Sequence, residues 1–380
     1  MDISSFVKLA YVSNHFWPIT GGIEQVMLDV AKEMMKRGHE VNVHCSNISP
    51  DSKKLKSYEE HNGIKIFRYP YKLRIGYYAS LFVPKITGVD IIHLNGFGML
   101  TNDYLVRKYH KKLPIVFSTM HGVKIPTKKI MNKIYHTLYF HIIGLHTLKL
   151  ADKITTLQEL DIQRLEGMGI PRKKMEDVPP FLPDELLGKK WELVNKPFER
   201  YIIFLGRLHI EKSPVHLLHA LKKIKRENVG LVFVGPDDGE LVKLRQVSVN
   251  LMLEKRVKFM GKVDEEKKYG LLANADLLVL PSMYEGFGIV LLESWAMSKP
   301  VIASRVGGVP YIVSDGKDGL LYEWGDIDTL AKKIEFLLEN DEVRKKMGEA
   351  GRKKVEEKYT RTKVVDRIEK IYRELLETKS

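Results

Sequence analysis

The sequence predicts an α/β protein built from two doubly wound parallel-sheet domains. Three observations carry this prediction. The chain has 380 residues, more than a single hydrophobic core ordinarily accommodates. Short apolar, β-branched runs alternate with longer helical stretches almost throughout, which is the pattern of repeated βαβ units. The alternation lapses at Val178-Pro179-Pro180-Phe181-Leu182-Pro183 and in the polar stretch to about Arg200. Proline clustering with loss of periodicity marks a linker there.

The first series of strands is expected at Val7–Val12, Glu40–Cys45, Ile64–Tyr69, Val89–Leu94, Pro114–Ser118 and Lys153–Leu157. The second is expected at Tyr201–Leu205, Gly230–Val234, Val257–Met260, Leu277–Leu280, Pro300–Ala303 and Gly319–Tyr322. Continuous apolar runs such as Leu277-Leu278-Val279-Leu280 indicate strands covered on both faces, as in parallel sheets. Helices such as Gln25–Arg37, Pro214–Arg226 and Ile327–Leu338 lie between them, the last two with apolar residues at helical spacing. The expected domains are residues 1–180 and 181–360. A last helix, Arg361–Glu377, follows a complete second domain and is placed to cross back to the first.

Apolar content of 44% and aromatic content of 9% exclude a disordered chain. The single cysteine, Cys45, forms no internal disulfide, which fits a reducing compartment. Met1 to Ala10 contains Asp2 and Lys8 and no long apolar core, so it does not read as a signal peptide. No run approaches the roughly 18 apolar residues that span a bilayer. The expected location is cytoplasmic, with a peripheral place at the inner membrane face as one variant. The net charge of +14 is uneven: residues 1–180 hold 26 Lys+Arg against 16 Asp+Glu, and residues 181–380 hold 36 against 32. That excess points to an anionic partner for the first half, a phosphate-bearing substrate or a membrane surface, or else to a solvated basic face. A nucleic acid is not among the expected partners.

Three loops occupy strand ends that precede helices, where ligands of open parallel sheets collect. The first is Pro18-Ile19-Thr20-Gly21-Gly22-Ile23-Glu24, whose paired glycines allow backbone amides close to a diphosphate. The second is Gly206-Arg207-Leu208-His209-Ile210-Glu211-Lys212, whose two cations can neutralise a diphosphate or simply pair with Glu211. The third is Tyr284-Glu285-Gly286-Phe287-Gly288-Ile289-Val290-Leu291-Leu292-Glu293. The amides of Gly288, Ile289 and Val290 open a helix and suit a phosphate. Glu285 and Glu293 suit sugar and ribose hydroxyls as hydrogen-bond acceptors. Glu293 is the only charge in an apolar run, and an ionised carboxylate there costs several kcal/mol unless something bonds to it. A ligand rich in hydroxyls is expected to supply those bonds.

With these motifs the sequence resembles glycosyltransferase family 4, the retaining glycosyl transferases group 1 of GT-B architecture. The resemblance rests on Gly21-Gly22-Ile23-Glu24, Thr119-Met120-His121-Gly122, Gly206-Arg207-Leu208 with Lys212, Phe259-Met260-Gly261 and the E-x7-E pattern Glu285–Glu293. It implies two Rossmann-like domains facing a central cleft, the first on the acceptor side and the second holding a UDP- or GDP-sugar. On this resemblance Arg207 and Lys212 hold the donor diphosphate with help from the Gly22 amide. Glu285 binds donor sugar hydroxyls, Glu293 the ribose, and main chain near Lys262 the base. His121 lies at the reacting centre. Transfer proceeds with retention of configuration, by front-face attack in which the leaving phosphate helps take the acceptor proton. The loop Gly235-Pro236-Asp237-Asp238-Gly239 stands where the family has a glycine-rich turn, and its two aspartates leave its role open.

No metal signature is present: His136, His141 and His146 are five residues apart and do not share a helix face. Arg207, Lys212 and a helix dipole can stabilise a leaving diphosphate without a metal, so no cofactor beyond the nucleotide-sugar co-substrate is expected. The basic region Val123–Lys153 reads as a helix with Ile130, Ile134, Leu138 and Ile142 or Ile143 apolar and Lys128, Lys129 and Lys133 beside them. It either rests on an anionic membrane and admits a lipid acceptor or packs on the core with a solvated lysine edge. The acceptor is a lipid or a growing glycan on this reading. Two other functions fit the same motifs: a nucleotide-sugar 2-epimerase and a non-catalytic sugar-nucleotide binding protein.

Overall fold

The computed structural model describes residues 6–19, 22–75, 79–120, 137–191 and 195–379. The chain forms two compact units, Met1–Pro180 with Arg361–Ser380, and Phe181–Thr360.

The first unit carries strands β1 (Lys8–Val12), β2 (Glu40–Ser46), β3 (Tyr58–His61), β4 (Ile64–Tyr69), β5 (Leu73–Ile75), β6 (Ala79–Leu81), β7 (Ile91–Asn95), β8 (Ile115–Ser118), β9 (Lys153–Thr156) and β10 (Met175–Asp177). Eight of them form one sheet in the order β10-β9-β8-β7-β1-β2-β4-β3, while β5 and β6 pair as a separate antiparallel ribbon. All pairs in the large sheet are parallel except β3 with β4. The six strands expected in this half all form. β3, β5, β6 and β10 were not expected, for a physical reason: Tyr58-Glu59-Glu60-His61 is a polar edge strand, and the others are three residues long.

The C-terminal helix Arg361–Lys379 belongs to this unit. Val364, Val365, Ile368, Ile371 and Tyr372 are buried on one face. The Tyr372 hydroxyl lies 3.1 Å from the Tyr11 hydroxyl and 2.5 Å from His93 Nδ1. Arg37 Nη1, one residue beyond the helix Gly22–Lys36, donates to Glu369 at 2.7 Å. The expected helix over Val123–Lys153 is described only from residue 137 on; Lys128, Lys129, Ile130, Lys133 and Ile134 lie outside the described residues. There a π-turn, Phe140–Gly144, precedes the helix Leu145–Leu150. The wide turn shifts the helical register, so Phe140, Gly144 and Leu148 face the core while Leu138 and Ile142 are exposed. Leu138 and Ile142 therefore do not pack on the core, the second of the two alternatives read from the sequence.

The second unit carries β11 (Arg200–Leu205), β12 (Val229–Val234), β13 (Val257–Phe259), β14 (Leu277–Leu280), β15 (Val301–Ser304) and β16 (Gly319–Tyr322). They form one parallel sheet in the order β13-β12-β11-β14-β15-β16. Leu278 and Leu280 point into one core cluster and Leu277 and Val279 into the other, so β14 is buried on both faces as its sequence requires. The strand order reverses between β11 and β14, which makes the carboxyl ends of those two strands the topological switch point where ligands of such sheets bind. Phe181 and Leu182, inside the expected linker, are buried in this unit, and the Leu182 amide donates to the Tyr359 carbonyl at 2.8 Å.

Candidate functional site

The loops after β11 and β12 are zipped together. The Leu208 amide donates to the Pro236 carbonyl at 2.9 Å, and the Asp238 amide to the Leu208 carbonyl at 3.1 Å. A Cβ on Gly235 (φ 141°) would stand 1.9 Å from the Gly206 carbonyl oxygen, so only glycine permits this approach. Asp237 Oδ1 accepts the amides of Gly239, Glu240 and Leu241 at 3.0–3.1 Å and so caps the helix Leu241–Asn250. Asp238 pairs with Arg207 Nη1. The acidic loop whose role the sequence left open is therefore a brace with a counter-charge for Arg207. Arg207 remains 60% exposed, and a pair that open to water contributes at most about 1 kcal/mol.

Lys212 ends the 3-10 turn Ile210–Lys212, after which Ser213 adopts φ 47°. The Ser213 hydroxyl accepts the Trp324 indole N–H at 3.1 Å. The Met283 amide donates to the Glu211 carbonyl at 2.8 Å, which ties this loop to the one after β14. Lys212 Nζ then meets Glu285 Oε2 at 2.5 Å, and the Ser282 hydroxyl donates to the same oxygen at 3.2 Å. The sequence assigned Lys212 to phosphate and Glu285 to hydroxyls; the structure joins them in a pair with the carboxylate only 12% exposed. An ammonium has three donors and a carboxylate about four acceptor positions, so each keeps capacity for a ligand. The Glu285 carbonyl accepts the Gly308 amide at 3.0 Å, and a Cβ on Gly307 (φ 54°) would stand 2.1 Å from that carbonyl oxygen. Gly307-Gly308 was missed in the sequence; a glycine pair directly beyond a strand end was its available signal.

Gly288 adopts φ 86° as the cap residue of the helix Ile289–Ala296, a conformation glycine reaches without strain. The amides of a first helical turn have no acceptor within the helix, and Ile289 is exposed. One turn further, Glu293 is 8% exposed. Lys268 Nζ lies 2.8 Å and the Tyr269 hydroxyl 3.1 Å from its Oε1. Burial first, and then the Glu293 charge, push the Tyr269 phenol far up, so it stays protonated and donates. The bonds that the sequence expected from a ligand are thus supplied in part by the protein: the helix Glu265–Asn274 carries both partners. Both bonds fall on Oε1.

Lys262 is exposed just beyond β13, where the Gly261 carbonyl accepts the Gly235 amide at 2.8 Å. Gly22 is the first residue of the helix Gly22–Lys36 in the first unit. Gly21 and His121 lie outside the described residues. Among the described residues, no group of three or more His, Cys, Asp or Glu is placed to hold a metal ion.

Residues 20–186 match the family model described as Glycosyltransferase Family 4, and residues 189–354 match Glycosyl transferases group 1. The chain is 28% identical to the N-acetyl-alpha-D-glucosaminyl L-malate synthase of Bacillus anthracis, over 95% of this chain and 96% of that one. Among solved structures it superposes on a sucrose-phosphate synthase from Thermosynechococcus elongatus at TM-score 0.74 and 19% identity, covering 98% and 100% of the two chains. It superposes on Anabaena HepE, solved with UDP, at TM-score 0.70 and 17% identity, covering 96% and 99%. The two parallel-sheet units are those of the GT-B fold. The chain is a glycosyltransferase and belongs to family 4, the glycosyl transferases group 1.

Proposed function

We propose that the protein is a retaining, metal-independent hexosyltransferase that moves a sugar from a UDP- or GDP-sugar to an acceptor hydroxyl. The observation that carries this reading is the bracketed pair Lys212–Glu285 at the switch point, with Arg207 and a helix start on the same sheet edge. Arg207, Lys212 and the amides of Gly288, Ile289 and Val290 offer positive charge to a diphosphate. Glu285 accepts from the sugar hydroxyls, and Glu293 presents Oε2 to the ribose while Lys268 and Tyr269 steady Oε1. Main chain around Lys262 meets the base; the roles of Gly21, Gly22 and His121 rest on their sequence motifs. The glycosidic C1–O bond to phosphate breaks, a C1–O bond to the acceptor forms on the same face, and the acceptor proton passes to the departing phosphate oxygen. The cations and amides stabilise the charge that grows on that diphosphate.

The comparisons support a nucleotide donor, since HepE was solved with UDP. They also support a hydroxyl-bearing acceptor, since L-malate, named for the Bacillus anthracis relative, is a hydroxy-dicarboxylate. The exposed Leu138 and Ile142 and the basic first half support a peripheral membrane contact for a lipid acceptor. The test is product analysis with UDP- and GDP-sugars in the presence and absence of acceptors, on the wild type and on Glu285→Ala. Transfer should require an acceptor. It should fall about tenfold to hundredfold per bond lost in the variant, the equivalent of roughly 1.5–3 kcal/mol for each charged hydrogen bond. Epimerisation of the donor without acceptor, nucleotide binding without turnover, or unchanged transfer in the variant would each overturn the reading.

A further inference from the structure

Ser213 follows Lys212 and precedes Pro214, and it adopts φ 47° and ψ 44° although it is not a glycine. That left-handed region is uncommon for residues with a Cβ and persists only where the surroundings impose it. The proline adds to the conflict, since it favours extended backbone at the position before it. The Ser213 amide donates to the Ile210 carbonyl at 3.0 Å, and the Ser213 carbonyl accepts the His216 amide at 3.1 Å. These main-chain bonds close the turn and open the helix Val215–Lys223. Ser213 is 5% exposed. Its hydroxyl donates to the Ile210 carbonyl at 3.4 Å, which leaves its lone pairs for a donor from elsewhere.

That donor is Trp324, 111 positions away, whose indole N–H lies 3.1 Å from the Ser213 oxygen. An indole has one donor and no acceptor, so the whole polar capacity of Trp324 goes to Ser213. Its ring centre lies 5.5 Å from that of His216. Trp295 in the same unit is fully buried, whereas Trp324 is 43% exposed and joins neither core cluster on the faces of the sheet. Trp324 stands in the turn between β16 and the helix Ile327–Glu339, and that turn is itself fixed. The Asp326 amide donates to the Glu323 carbonyl at 3.0 Å, and Asp326 Oδ1 caps the helix by accepting the Thr329 amide at 2.9 Å. Glu323 also pairs with Arg305 at 3.2 Å.

We propose that Trp324 is a positioning residue for donor binding: its bond to Ser213 holds the left-handed turn that aims Lys212 at the donor diphosphate. Lys212 is the last residue before Ser213 and meets Glu285 Oε2 at 2.5 Å. Relaxation of the turn towards extended backbone swings the Lys212 main chain and carries its ammonium away from that carboxylate. Trp324 acts through Lys212, from a strand three places away in the sheet. The inference rests on the donor reading and extends it to a loop that reading does not use.

The test is calorimetric titration of UDP and GDP into the full chain. The variants are Trp324→Phe, Ser213→Ala and Lys212→Ala, with Trp324→Phe also combined with each of the other two. Phenylalanine keeps an aromatic ring beside His216 and removes the N–H. Trp324→Phe should weaken the bound nucleotide about three- to tenfold, as the loss of one neutral hydrogen bond implies. Ser213→Ala should do the same, and the two together no more than either alone. With Lys212→Ala already present, Trp324→Phe should change nothing further, because the two act as one unit. Nucleotide affinity unchanged in Trp324→Phe, even with a lowered melting point, would overturn the proposal. So would an equal loss with and without Lys212, the mark of a general structural role, or additive losses from Trp324→Phe and Ser213→Ala. Should Trp324→Phe fail to fold, Ser213→Ala with and without Lys212 decides the same question by the same outcomes. No binding of UDP or GDP by the wild type removes the donor reading and this inference with it, whereas binding that Trp324→Phe leaves intact removes the inference alone.

Discussion

Glu293 shows what one residue can and cannot reveal about itself. Its place in an apolar helix announces a buried charge, and the requirement for hydrogen-bond partners follows from physics. The partners themselves, Lys268 and Tyr269, are 25 and 24 positions away in the sequence, and only the packing of two helices brings them near. Tyr269→Phe removes one charge-assisted bond and should destabilise the second unit by about 1.5–3 kcal/mol. For a domain of this size the melting point should drop roughly 3–12 °C, readable by calorimetry. An unchanged melting point would mean that the phenol bond is not formed. Arg207 and Asp238 act differently, as an open pair that a diphosphate can exchange. Asp238→Asn should therefore leave UDP affinity equal or improved, whereas Arg207→Ala should weaken it, as titration with UDP would show.

The elements legible in the sequence are those whose composition has one solution. Runs such as Leu277–Leu280, short and bounded by turn residues, read as strands buried on both faces, and twelve strands were placed from short apolar, β-branched runs. The polar edge strand Tyr58–His61 and the three-residue β10 lack that signal. The π-turn at Phe140–Gly144 defeats helical counting because it shifts the register within one turn. The loops proposed to hold the donor were legible as cations and carboxylates at strand ends. Their supports were not, since Gly307, Gly308 and Asp238 act across loops distant in sequence. Gly307→Ala tests the support most sharply. A side chain at φ 54° whose Cβ would meet the Glu285 carbonyl at 2.1 Å must displace that loop. Strain of roughly 1–3 kcal/mol is expected, with a loss of transfer at least as large as in Glu285→Ala. Retained activity would show that the turn does not hold Glu285.

At the scale of the molecule, the first unit depends on a helix from the far end of the chain and on buried neutral histidines. Burial pushes His93 down to about 3 and His44 to about 4; burial and Arg74 bring His15 to about 4. Between those values and the ordinary histidine value near 6.5, the unfolded chain binds more protons than the folded one. Stability therefore falls as pH drops below about 6.5, by up to roughly 1.4 kcal/mol per pH unit for each histidine. Denaturant midpoints at pH 7 and pH 5 should show this, and equal midpoints would contradict it. Truncation before Arg361 would remove Val364, Val365, Ile368, Ile371 and Tyr372 and expose the apolar surface that they cover.

The central claim is that the carboxyl edge of the second sheet holds a nucleotide diphosphate. Thermal denaturation of the wild type and of a Lys212→Ala, Arg207→Ala double variant, with UDP, GDP and ADP, tests it most directly. A ligand at one hundred times its Kd stabilises the native state by about 2.7 kcal/mol, a rise of roughly 5–11 °C for such a unit. The account predicts such a rise for UDP or GDP in the wild type and its loss in the double variant. No rise with any of the three nucleotides, or an equal rise in the double variant, would contradict it.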